Sequence, residues 1–133
     1  MIFIDTGTFL GRYLPDDQYH DQALAGWRLL VEQRTPCCTS NLVISETITL
    51  LARRADYGFA AEKARLIHLS GALRILRSTA ADELAAIGWL DKFADQRVSF
   101  TDAVFFALLK RHKISRVFTF DRHFDLAGFR PLV

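Results

Sequence analysis

Four carboxylates in this chain have neighbours that suit a site for a hard divalent cation: Asp5, Glu46, Asp102 and Asp121. Asp5 follows the apolar run Met1-Ile2-Phe3-Ile4, and Asp121 follows Val117-Phe118-Thr119-Phe120. Glu46 and Asp102 lie inside apolar helical patterns. On a helix, Glu46 shares a face with Leu42, Thr49 and Leu50, and Asp102 heads the face continued by Phe105, Phe106 and Leu109. A carboxylate removed from water is costly unless it is paired or metal-bound. Carboxylate oxygens are the ligands such hard cations take.

Each acid also has a structural alternative. Asp5 can cap the helix that follows it. Asp121 can open a helical turn with Arg122-His123-Phe124, and Asp102 can complete a capping box with Ser99. Glu46 can pair with a core-facing Arg. Each alternative is ordinary alone, but the four together require four independent coincidences. Asp125 reads as a water-mediated peripheral ligand or a solvated turn residue, and Asp95 as an organiser of the loop before Ser99. His20, His68, His112 and His123 have no metal-pair spacing with one another or with the cysteines, which argues against zinc. His123 sits beside Asp121, where it reads as a surface residue or, alternatively, as a contact to substrate. The sequence has neither a Gly-rich phosphate loop nor a G-x-S-x-G elbow.

The pattern around these acids predicts the elements that position them. Residues 2–5 read as a buried strand, followed by a short helix from Thr8 to Leu14 that Pro15 ends. A helix from Asp17 to Arg34 places Ala23, Trp27, Leu30 and Val31 on one face. Cys37 to Thr39 is a short strand, and Thr39-Ser40-Asn41 offers N-caps for a helix reaching Arg54 or Ala55. A helix from Gly58 to Ser70 ends at Gly71. Leu73 to Leu76 is a strand. Thr79 and Asp82 fit a capping box for a helix reaching Phe93. Ser99 to His112 is a helix, and Arg116 to Phe120 and Phe129 to Val133 are strands. Strands alternating with helices predict an α/β fold on a parallel sheet of four to five strands. Such sheets bind ligands outside the carboxyl ends of their strands, where Asp5 and Asp121 fall.

The 133 residues read as one domain spanning 1–133, half of it apolar and with 11 Phe to fill a core. No apolar run is long enough to cross a bilayer, and Met1 to Asp5 lacks the features of a signal peptide. Cys37 and Cys38 are adjacent and cannot staple distant segments, so a reducing cytoplasm is expected. Net charge is +2, but setting aside the four acids leaves 17 cations against 11 acids, and 13 of the cations are Arg. That balance suits a polyanionic substrate as well as it suits ordinary solubility.

The motifs resemble those of PIN domains, and closely those of the VapC-type toxins of toxin–antitoxin pairs. The resemblance covers essentially the whole chain. It rests on Ile4-Asp5-Thr6, Ser45-Glu46, Ser99-Phe100-Thr101-Asp102-Ala103 and Phe118-Thr119-Phe120-Asp121-Arg122-His123-Phe124. It implies a three-layer α/β/α fold and an endoribonuclease dependent on Mg²⁺, with Mn²⁺ as substitute. Asp5 and Asp102 would be the main metal ligands, with Asp121 nearby and Glu46 completing the catalytic set. Thr6, Thr101 and Thr119 match hydroxyl positions near the family's site. Expected products carry 5′-phosphate and 3′-hydroxyl ends. Expected partners are an RNA substrate, a small cognate antitoxin and a second copy of the chain. The antitoxin would dock along the helices between Asn41 and Ser70, with Leu50, Leu51, Tyr57, Phe59 and Leu66 as candidate contacts. A PIN nuclease that processes RNA without being a toxin is one alternative, and a nonenzymatic RNA-binding module another. A D-x-D phosphatase would need an acid where Gly7 stands, and a receiver domain would need a Lys near Asp121.

Overall fold

The computed structural model describes residues 1–132 of the chain. Five strands form one parallel sheet: β1 (Ile2–Ile4), β2 (Cys37–Ser40), β3 (Leu73–Leu76), β4 (Arg116–Phe118) and β5 (Arg130–Pro131), in the order β3-β2-β1-β4-β5. Helices α1 (Thr6–Tyr13) and α2 (His20–Glu32) connect β1 to β2, and α3 (Asn41–Arg54) and α4 (Tyr57–Leu69) connect β2 to β3. Helices α5 (Ala80–Lys92) and α6 (Phe100–Arg111) return to β4, and α7 (His123–Leu126) leads to β5. From β1 the chain first builds outward to β3, then crosses back and builds outward on the other side. Right-handed crossovers therefore place α1–α4 on one face and α5–α7 on the other. The packing agrees: Phe3 meets Phe105 and Phe124 at ring distances of 5.5 and 6.3 Å, while Phe118 meets Trp27 at 5.8 Å. This is the expected three-layer α/β/α arrangement, with five strands.

The core explains the apolar runs. Ile2, Phe3, Ile4, Val117 and Phe118 are fully buried because the central strands are covered on both faces. Gly26 lets α2 lie flat on the sheet, since a Cβ there would stand 2.3 Å from Cζ of Phe118. Gly11 does the same between α1 and α2, where a Cβ would stand 2.7 Å from that of Ala23. Local caps set the helix starts. The Ser40 hydroxyl accepts from Leu42 N–H, Asp56 from Phe59 N–H, and Thr79 with Asp82 forms the expected capping box.

Several boundaries differ from the sequence pattern. Helix α1 begins at Thr6, where the Thr8 hydroxyl donates to the Asp5 carbonyl at 2.8 Å. Helix α2 begins only at His20, because the Asp17 carboxylate accepts from Tyr19 N–H at 3.0 Å and from Arg54 at 2.8 Å, closing a turn. Its buried face is Ala23, Gly26 and Leu30, and Val31 is 74% exposed. Strand β4 stops at Phe118 because Thr119 turns its hydroxyl inward instead of continuing the ladder. Strand β5 is shorter than the expected Phe129–Val133, whose last residue lies outside the described ones. Leu51 is no docking residue. It is fully buried in a second cluster with Leu10, Leu14 and Ala60, against which Leu50 and Phe59 pack. Tyr57 and Leu66 remain exposed. No helix among the described residues is long and apolar enough to cross a membrane.

The sheet's build reverses between β1 and β4. Connections from β1 run one way and the strand reached from the other side is β4, so a crevice opens between their carboxyl ends. The backbone N–H of Asp5 donates across it to the Phe118 carbonyl at 3.0 Å.

Candidate active site

The crevice is a cleft of about 500 Å³ lined by Asp5, Thr6, Gly7, Leu10, Tyr19, Glu46, Ser99, Thr101, Asp102, Phe120 and Asp121. All four acids singled out in the sequence meet here, from four different segments. Asp5 stands at the end of β1, Glu46 on α3, Asp102 in the first turn of α6, and Asp121 in the loop after β4.

Asp5 occupies the N-cap position of α1, yet its carboxylate makes no capping bond. It accepts instead from the Thr119 hydroxyl at 2.7 Å. The same hydroxyl accepts from Asp121 N–H at 2.9 Å. One threonine therefore fixes two acids that stand far apart in sequence. Burial pushes the Asp5 carboxyl up to about 6, although its hydrogen bonds to Thr119 and Thr6 oppose the rise; the charges of Asp121 and Glu46 add to it.

Asp102 is carried by a helix start that Ser99 makes: the Ser99 hydroxyl accepts from Asp102 N–H at 3.0 Å. Burial pushes the Asp102 carboxyl up to about 8, reinforced by the charge of Asp5, a hydrogen bond shared with Asp121, and the charges of Asp121 and Glu46. Asp121 keeps part of its structural alternative, since its carboxylate accepts from His123 N–H at 2.9 Å and so starts the turn into α7.

Glu46 reaches the cleft differently from what the apolar pattern suggested. The buried stripe of α3 is Val43, Ile44, Thr47 and Leu51, so Glu46 and Thr49 are exposed. Glu46 stands on the solvent side of the helix and leans over the rim of the cleft. Partial burial still raises its carboxyl above the ordinary value. Asp125 is exposed and does not line the cleft, and Asp95 sits in the single 3₁₀ turn Ala94–Gln96 that leads toward α6.

Three residues gain a place that the sequence pattern did not give them. His123 is half-buried, with Nδ1 3.3 Å from Asp121 and 3.9 Å from Asp102. One ligand atom each from Asp102, Asp121 and His123 lies within 4.8 Å of the others. The adjacency of His123 to Asp121 in sequence was the available signal. Thr119 was visible as a matching hydroxyl, but not its double hydrogen bond. Tyr19 lines the cleft beside Phe120, and nothing in its local sequence marks it.

An all-oxygen set of acids, in which burial raises the proton affinities of Asp5, Asp102 and Glu46, can hold a hard cation. The Thr6 hydroxyl is buried in the same cleft with no hydrogen-bond partner among the described residues.

Comparisons with known proteins cover nearly the whole chain. The PIN domain family matches residues 2–130. The 23S rRNA-specific endonuclease VapC20 of Mycobacterium tuberculosis is 36% identical over 129 residues, which cover 97% of this chain and 95% of that protein. The crystal structure of that organism's VapC20, described as a sarcin–ricin loop cleaving toxin, superposes with a TM-score of 0.84 at 34% identity, covering 97% and 96% of the two chains. A second structure, FitAcB from Neisseria gonorrhoeae, shares the fold with a TM-score of 0.71 at 18% identity, covering 98% and 95% of the chains. This chain belongs to the PIN domain family, as a member of its VapC type.

Proposed function

We propose that the chain is a metal-dependent endoribonuclease and the toxin of a toxin–antitoxin pair. The observation that carries the reading is the convergence of Asp5, Glu46, Asp102 and Asp121 on one cleft, with two buried carboxyls held well above their ordinary proton affinity. Mg²⁺ or Mn²⁺ fits this donor set. Asp5, Asp102 and Asp121 would hold the ion, with Glu46 adding charge at the rim. When bound, such an ion supplies Lewis-acid chemistry, offsetting charge at phosphoryl oxygens and making a water acidic enough to ionise near neutral pH.

The chain's own residues set the geometry for that chemistry. Thr119 holds Asp5 and Asp121 in register with each other. Ser99 anchors the turn that presents Asp102. The burial of Asp5 and the partial burial of Asp102 limit their solvation, so a cation offers the compensation that protons otherwise provide. Glu46, nearer solvent, meets the substrate strand at the mouth.

VapC20 is a 23S rRNA-specific endonuclease, and its likeness over nearly the whole chain supports the sarcin–ricin loop of that RNA as the substrate here. Selectivity for RNA would come from splayed, unstacked nucleotides and their 2′-hydroxyls. The direct test is incubation with ribosomal RNA in Mg²⁺, Mn²⁺ or EDTA, with ends mapped by primer extension. A single cut in the loop, dependent on metal and leaving 5′-phosphate, is expected. Metal-independent cleavage, or 2′,3′-cyclic ends, would overturn the reading.

For the antitoxin we propose a groove of about 850 Å³, lined by residues of α1, α2 and α4 that include Tyr13, Leu24, Trp27, Val31, Lys63 and Leu66. An amphipathic segment with apolar anchors suits its walls, and Arg12 and Lys63 at its edge suit acidic flanks. Of the residues named from sequence for this contact, Leu66 lines the groove. For the homodimer, exposed Leu84 and Ile87, three residues apart on α5, with Phe100 on α6, offer apolar surface on the opposite helical layer.

A further inference from the structure

A file of aromatic rings runs from the core to the cleft. Trp27 meets Phe118 edge to face at 5.8 Å. Phe118 meets Phe120 edge to face at 5.8 Å, and Phe120 stacks on Tyr19 at 4.5 Å with the planes 15° apart. Tyr19 is the last ring of the file. Both Tyr19 and Phe120 line the cleft that holds the four acids, and both are only half-buried. Among the described residues Phe120 is the one ring stacked on Tyr19.

Tyr19 is also held more firmly than a loop residue needs to be. Its N–H donates to the Asp17 carboxylate at 3.0 Å, and Asp17 is in turn fixed by Arg54 of α3 at 2.8 Å. Its carbonyl accepts from Ala23 N–H at 2.8 Å. The neighbouring His20 Nδ1 lies 2.7 Å from the Gly11 carbonyl, which ties the loop to α1. The ring is thus preorganised: it is backed by Phe120 and belongs to the lining of the cleft. Four acids that would hold a cation can place a phosphodiester through it, but they do not hold a base. A fixed, partly exposed ring next to them is the kind of surface on which an unstacked nucleobase continues a stack.

We propose that Tyr19, backed by Phe120, is the base-stacking platform that positions one splayed nucleotide beside the acidic cleft. The inference rests on the ribonuclease reading and deepens it. The interaction is with the ring face, so it accepts Tyr or Phe and rejects an aliphatic side chain of similar bulk. Asp17 and Arg54 are positioning residues that act through Tyr19.

The test compares wild type, Tyr19→Phe and Tyr19→Leu on a hairpin RNA carrying the sarcin–ricin loop, with thermal unfolding as the check that each is folded. Tyr19→Phe should cleave like wild type, and Tyr19→Leu should lose about 5- to 150-fold in kcat/KM, the range expected for one lost base stack. The second readout needs no metal. The hairpin carries 2-aminopurine in turn at each nucleotide flanking the cut and is bound in EDTA to Asp102→Asn protein. One position should be quenched when Tyr19 is retained or when Tyr19→Phe is added, and bright when Tyr19→Leu is added. Equal cleavage and equal fluorescence for the folded Tyr19→Leu variant would overturn the platform while leaving the nuclease reading intact. Failure of the wild type to cut the hairpin in Mn²⁺ would sink the substrate reading and the platform with it.

Discussion

Two aspartates with the same local motif show how position decides a carboxylate's role. Asp82 and Asp102 both stand third in their helix after a capping Ser or Thr. Asp82 closes its capping box and takes two hydrogen bonds from Arg111, which hold its carboxyl below the ordinary value. Asp102 faces other acids in a buried cleft, and its carboxyl rises to about 8. The capping pattern places both residues at helix starts, and only the apolar face and the motif around Asp102 set it apart in sequence; the opposite shifts of the two carboxyls come from what the rest of the fold brings near. The same limit hid the Thr119 bridge, the approach of His123 and the place of Tyr19. Asp102→Asn or Asp5→Asn should lower cleavage by at least about 10²–10³-fold while leaving the far-ultraviolet spectrum unchanged. Glu46→Gln, at the exposed rim, should cost less than either. The pH dependence follows in sign. Asp5 and Asp102 have an ordinary value of 3.8 and rise to about 6 and about 8 in the folded protein. Between those limits the folded state binds more protons than the unfolded one, so metal-free stability should fall as pH rises from about 4 to about 8. Asp82, shifted the other way, contributes stability above its unfolded value that is lost on acidification. Thermal scans in EDTA should show Tm declining across that range. Asp102→Asn should flatten the decline, and Mg²⁺ added at pH 8 should raise Tm with release of protons. A Tm that climbs from pH 5 to 8 in EDTA would contradict the buried-acid account.

At the scale of elements, the strands and helices were legible because period and punctuation agreed: apolar runs for the central strands, Ser40, Thr79 and Ser99 as caps. The start of α2 was not, since it depends on Asp17 reaching Arg54 on another helix. The face of α3 was misjudged for a related reason. Leu42, Thr49 and Leu50 looked like its apolar stripe, but the sheet and α4 take Val43, Ile44, Thr47 and Leu51, which turns Glu46 outward to the cleft. Glycine in α2 carries a testable consequence. Gly26→Ala should improve helix propensity yet lower stability by about 1–3 kcal/mol, because the added methyl must displace the buried Phe118 ring. Chemical denaturation checks it, and a neutral or stabilising result would mean the α2–sheet contact can relax.

For the whole molecule, the family and its α/β sheet were readable from four short motifs spread along the chain. Surfaces were harder, because one sequence does not separate an exposed apolar residue from a core one. Leu51 and Leu66 look alike in sequence, but the first is fully buried and the second is 54% exposed on the large groove. Leu66→Glu should therefore weaken antitoxin binding by at least tenfold, about 1.4 kcal/mol, with RNA cleavage unchanged. Titration calorimetry with the antitoxin supplies the measurement, and unchanged affinity would move the docking site elsewhere. Leu84→Glu, on the opposite layer, should shift sedimentation toward monomer without affecting that affinity.

The central position of β1 sets the order in which activity arises as the chain is made. Residues 2–4 are synthesised long before β4, which begins at Arg116, yet they lie between β2 and β4. A nascent chain that has emerged only as far as residue 115 already contains Asp5, Glu46 and Asp102. It still lacks Thr119, which orients Asp5, lacks Asp121, and lacks the Phe118 carbonyl on which Asp5 N–H rests. Domains emerge from the ribosome at roughly 5–20 residues per second, and contacts between distant segments close last. A chain that stops short of β4 therefore lacks a complete cleft, which forms only once residues 116–121 have emerged. For a protein proposed to cut ribosomal RNA, this order of synthesis means that the ribosome meets no complete cleft until those residues have emerged.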